Sequence, residues 1–148
     1  MTLEGLESIG FIIREKTQKD ELKKLFVQAK KKLADAGAVG LSNESRMNFA
    51  YTVILLCATI ALRALGFRVK SKQEYHYRSI ETLRHTLKCS KEEVEYYHIL
   101  REKRHQDIYG GEFIASDTEV NQAIHESECI LKAILELINR KYPGLIEL

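Results

Sequence analysis

Proline occurs once in this 148-residue chain, at Pro143. Its ring removes a backbone donor and collides with the preceding turn, so proline ends or kinks any helix that contains it. No such break falls between Met1 and Tyr142, and the chain is free to run in long helices. Glycine supplies the punctuation instead, at Gly37, Gly40, Gly66, Gly110, Gly111 and Gly144.

Between these breaks the apolar residues recur at the helical period. Leu22, Phe26, Ala29 and Leu33 predict a helix over Lys19 to Ala36. A second runs from Asn43 to Leu65, with Ser42 as N-cap and Gly66 suited to the left-handed turn that closes it. Its middle, Phe49 to Leu62, is apolar almost all round, as the central helix of a bundle must be, and Val53, Ile54, Cys57 and Ile60 should be buried. Tyr77, Ile80, Leu83 and Leu87 mark a third helix over Gln73 to Leu87, with Tyr77 read as core. Ser90 with Glu93, and Ser116 with Glu119, have the spacing of capping boxes. They open helices over Lys91 to Tyr109 and Asp117 to Arg140. Residues 1–16 carry apolar side chains, but Gly5 and Gly10 argue against one strong helix there. They are read as an arm that packs on a helical body of residues 17–148. The expected fold is all-α, an antiparallel four- or five-helix bundle.

At 45% hydrophobic and 30% charged, the chain is suited to one globular core and is unlike a disordered segment. Its most apolar run, Met47 to Leu62, is shorter than a bilayer span and contains Asn48, Thr52 and Thr59, so no membrane partner is expected. The start, MTLEGLES, lacks the basic and apolar regions of a signal peptide. Cys57, Cys89 and Cys129 are widely spaced, with no CxxC pair. Together these features predict a cytoplasmic protein with reduced thiols.

The formal net charge is +2, but the charges are unevenly distributed. Arg14 to Lys32 holds eight basic and three acidic residues, and Arg63 to Lys88 seven and two, whereas Glu112 to Leu148 holds three basic and seven acidic. An anionic partner would favour the first two regions. There is no GxGxxG, no Walker loop and no HExxH, and His76, His85, His98, His105 and His125 stand in no familiar zinc spacing. Neither a cofactor nor a metal is expected.

Two clusters carry chemistry. On the fourth predicted helix Arg101, His105 and Tyr109 follow at successive turns, with Arg104 near the same side and Val94 and Tyr97 extending it toward the start. Arginine can hold a phosphate through two parallel bonds, and histidine can exchange a proton near neutrality. A solvated helix end with Tyr109 as a cap fits the same residues. At the start of the third helix, Tyr75, His76, Tyr77 and Arg78 combine rings that can stack on bases with groups that can hold phosphates.

Three stretches carry a family likeness. They are Leu33 to Ala36 through Gly40 to Ser42; Phe49 to Tyr51 through Ala61 to Arg68; and Tyr75 to Leu83 followed by Arg104 to Gly110. In this order they resemble the HEPN superfamily, over about residues 19 to 140. The resemblance implies a helical bundle that forms homodimers. Its members include RNA- or nucleotide-binding proteins, toxins of toxin–antitoxin and defence-type systems, and partners of nucleotidyltransferases. Many cleave RNA without metal, using an arginine, a following polar residue and a histidine. Arg104 matches that arginine and His105 the polar residue, while Tyr109 stands where the histidine is expected. Tyrosine has a pKa of about 10 and is a weak base at neutral pH. The leading expectation is therefore an RNA- or nucleotide-binding module that uses Arg101, Arg104, His76 and Arg78. The alternatives are a metal-independent ribonuclease that uses Arg104, His105 and Tyr109, and an adaptor that pairs with a protein encoded nearby and touches no nucleic acid.

Overall fold

The computed structural model describes residues 1–108, 110 and 114–146, with the backbone alone at Asp107 and Ile108. Ser42 opens the helix on which the others are arranged: its Oγ accepts the Ser45 N–H at 3.1 Å. This helix, α3 (Asn43–Ala64), closes where Gly66 adopts a φ of +87°, a conformation that costs glycine nothing. Val53, Ile54, Cys57, Ala58, Ile60 and Ala61 are fully buried. Each fully buried Val or Ile contributes about 1.5–3 kcal/mol relative to exposure. By length and composition α3 could cross a membrane, yet most of it is buried inside the fold.

Four long helices cover it: α2 (Lys19–Ala36), α4 (Tyr75–Thr86), α5 (Lys91–Ile108) and α6 (Asp117–Lys141). On α2, Leu22, Phe26 and Ala29 meet the core, and Gln18 begins the helix without a side-chain cap. Both capping boxes form. The Ser90 N–H donates to Glu93 Oε1 at 2.9 Å while the Glu93 N–H donates to Ser90 Oγ at 3.0 Å. The pair Ser116 and Glu119 does the same at the head of α6. The molecule is a helical bundle of these five long elements.

The arm is more structured than expected. Thr2 Oγ1 accepts the Gly5 N–H at 3.0 Å and opens a short helix, α1 (Leu3–Ser8). Gly5 thus lies inside a helix that ends before Gly10, where φ reaches +77°. Strand β1 (Ile13–Arg14) then pairs antiparallel with β2 (Phe67–Arg68), Ile13 opposite Arg68. Leu6 and Ile12 pack with Leu62, Phe67 and Val69 in a second apolar cluster.

Arg63, only 1% exposed, binds the arm to the body. Its Nε donates to Glu21 at 2.7 Å, its Nη1 to the carbonyls of Glu15 and Phe67, and its Nη2 to that of Lys16 at 2.8 Å. Arg68 pairs with Glu15 and Glu21. Burial pushes the Glu21 carboxyl toward protonation, but the bonds from Arg63 and Arg68 outweigh this and hold its pKa below the usual value.

Candidate anion-binding site

Val94, Tyr97 and Leu100 fasten α5 to the core. Two turns further on, the stripe through Val94 and Tyr97 continues as Arg101 and Arg104. The helix keeps its orientation while its inward face changes from apolar to cationic. Both arginines are half-buried, and they line an open cleft of about 580 Å³ with His105, His76, Tyr77, Gln73 and Glu74. That volume is within the usual range for small-molecule sites.

Aromatic rings hold the guanidinium groups. The Arg104 guanidinium lies 5.9 Å from the centre of the Tyr51 ring, and that of Arg101 5.6 Å from Tyr77. Such contacts stabilise a cation without using its N–H groups. Arg101 also donates from Nε to His98 Nδ1 at 3.2 Å, and His98 Nε2 lies 2.8 Å from Glu81 Oε1. The two partners select one tautomer of His98, with its proton on Nε2 and its lone pair toward Arg101. Tyr77 stacks on the His98 ring, with centroids 4.9 Å apart.

Among the described residues, carboxylates barely offset this charge. Arg101 reaches Glu102 only at 3.8 Å, on an exposed side chain. Arg104 makes no ion pair with any described residue. Glu74 lines the cleft but is already paired with Arg78.

His76 is anchored by a buried hydroxyl. Tyr51, 1% exposed, places its OH 2.9 Å from His76 Nδ1. Burial pushes the Tyr51 pKa up by more than Arg104 and Arg101 pull it down, so the phenol keeps its proton. Burial, with Arg104 and Arg101 adding to it, pushes the His76 pKa below 6.5 and favours the neutral ring at pH 7.

Four residues expected from the sequence therefore share one cleft: Arg101, Arg104, His105 and His76. Arg78 is not among them. It donates to the carbonyls of Gly10 and Phe11, both at 3.2 Å, pairs with Glu74 and lies over the Phe11 ring. Its guanidinium is committed to the arm. Tyr109 lies outside the described residues. Tyr77, read as core, is 43% exposed at the cleft, because Ile80 and Leu83 face inward on α4 and leave it at the rim. Tyr51 and His98 were not expected at a site. Tyr51 carried the one available signal: a phenol inside an apolar run needs a hydrogen-bond partner once buried.

Among the described residues no three His, Cys, Asp or Glu side chains cluster as metal ligands would. The chain matches no protein-family model, no curated protein and no solved structure.

Proposed function

We propose that this cleft binds the phosphates of RNA or of a nucleotide, and that the chain is a HEPN-like binding module that works as a cytoplasmic homodimer. The observation that carries this reading is the pair of half-buried guanidinium groups, Arg101 and Arg104, facing one cleft with little carboxylate among the described residues to neutralise them. Burying an uncompensated cation is unfavourable, and an oxyanion in the cleft would relieve that cost. Tyr77, exposed beside the arginines, adds a ring on which a base can stack. The likeness in sequence points to the same ligand class and to a toxin–antitoxin or defence-type setting.

The test is binding of short single-stranded RNA and of nucleotides, followed by fluorescence anisotropy, with RNA integrity checked in the same samples. Arg101→Ala and Arg104→Ala should each weaken binding by roughly tenfold, the worth of a hydrogen bond to a charged group. Circular dichroism checks that each variant is folded. If wild type binds none of these ligands, the reading fails and a protein-binding adaptor takes its place. RNA cleavage lost in Arg104→Ala would replace the binding module with a ribonuclease.

A further inference from the structure

A phosphate needs donors, and the arginines are donors only. His76 is different. Its Nδ1 is taken by the Tyr51 hydroxyl, its Nε2 has no bond to a described residue, and the ring faces the cleft. Burial and the two arginines keep it neutral, so one ring nitrogen carries a lone pair. The Tyr51 hydroxyl bonds Nδ1 in either sense, as donor or acceptor. A ligand hydroxyl at Nε2 would therefore select the tautomer whose lone pair faces the cleft, without breaking the bond to Tyr51. Other acceptors are poorly placed for this: Glu74 is held by Arg78, and Gln73 is exposed at the rim. Two cationic forks beside an acceptor anchored by Tyr51 suit an anion with a hydroxyl donor next to it. In nucleic acids that pair is a phosphate and the adjacent ribose 2′-hydroxyl, the group that separates RNA from DNA.

We propose that His76, positioned by Tyr51, accepts a hydrogen bond from the ribose 2′-hydroxyl beside the phosphate held by Arg101 and Arg104, so that the cleft prefers RNA to DNA. This inference rests on the phosphate-binding reading above. His76 is the specificity-determining residue and Tyr51 a positioning residue.

The experiment compares three single strands of one sequence at one salt concentration: RNA, its deoxyuridine-containing DNA counterpart and the 2′-O-methyl form. The methyl ether keeps a ribose but has no 2′ donor. Wild type should bind RNA about three- to tenfold more tightly than either of the others, as one net hydrogen bond allows. His76→Ala should bring the RNA-to-DNA ratio close to one. His76→Gln, which retains an acceptor, should keep a larger ratio than His76→Ala, and Tyr51→Phe should fall between wild type and His76→Ala. Arg104→Ala should weaken RNA and DNA together and preserve the ratio. Equal wild-type affinity for all three strands overturns the inference alone, as does a His76→Ala ratio equal to that of wild type. If no strand binds, or if Arg104→Ala changes none of them, the phosphate-binding reading falls with it.

Discussion

At the scale of single residues, the arginines divide by what surrounds them. Arg63 is enclosed and satisfied by a carboxylate and three carbonyls, so its charge serves the fold. Arg63→Ala would leave Glu21 and those carbonyls short of donors and should cost about 3 kcal/mol, read as a lower denaturant midpoint. A change within roughly 0.5 kcal/mol, the size of a typical surface substitution, would contradict this role. Arg101 and Arg104 are half-buried on aromatic rings and, among the described residues, meet only the exposed carboxylate of Glu102, 3.8 Å from Arg101, a pattern suited to a ligand. His76 gives a prediction in pH. The fold lowers its pKa through burial, then through Arg104 and Arg101; the rings of Tyr51 and Tyr75 lie against it, and Tyr77, His105 and Glu74 line the same cleft. A histidine with a depressed folded pKa contributes stability that is fully present above its ordinary value of 6.5 and is lost as pH falls through the folded value. His85, depressed by burial and by the nearby amino terminus, acts in the same direction. Thermal unfolding from pH 8 to pH 5 should therefore show falling stability, with a shallower fall in His76→Gln. An equal fall in both proteins would remove His76 from the account.

At the scale of elements, the long helices were legible because each is specified by its own residues. Lys19–Ala36 was predicted with its observed bounds, and the two Ser/Glu capping boxes fixed the starts of α5 and α6. Periodicity identified Val53, Ile54, Cys57 and Ile60 as core, and all are buried. The arm was harder to read. Its strand is two residues long, too short for a periodic signal, and its partner lies more than fifty positions away, at Phe67–Arg68. The same distance hid the role of Arg78, whose acceptors are the carbonyls of Gly10 and Phe11. The basic stretch from Arg63 to Lys88 therefore offers an anion less than its sequence suggested, since Arg63, Arg68 and Arg78 are all engaged within the fold. The arginines on α5 could be placed on one face by counting turns. That this face would meet His76 and Tyr51 depends on how α5 crosses α3 and α4, which helical spacing does not encode.

At the scale of the whole molecule, α3 packs against both α4 and α5, which carry the two predicted clusters, and the cleft forms where α4 and α5 meet beside it. The exposed apolar residues Val27, Leu41 and Ile99 lie elsewhere on the surface and are available for an interface. The homodimer proposed from the family likeness should appear in light scattering at micromolar concentration as twice the 17.1 kDa chain mass. A monomer under those conditions would leave each cleft complete within one chain or not at all. The claim on which the rest depends is that Arg101 and Arg104 neutralise phosphates. Its most direct measurement is the slope of log binding constant against log salt for single-stranded RNA. Release of condensed counterions makes that slope about −0.7 per phosphate neutralised on a single strand. Arg104→Ala, checked to be folded, should flatten the wild-type slope by about 0.7. A slope unchanged in Arg104→Ala would rule out phosphate neutralisation by Arg104, because the guanidinium would then touch no phosphate.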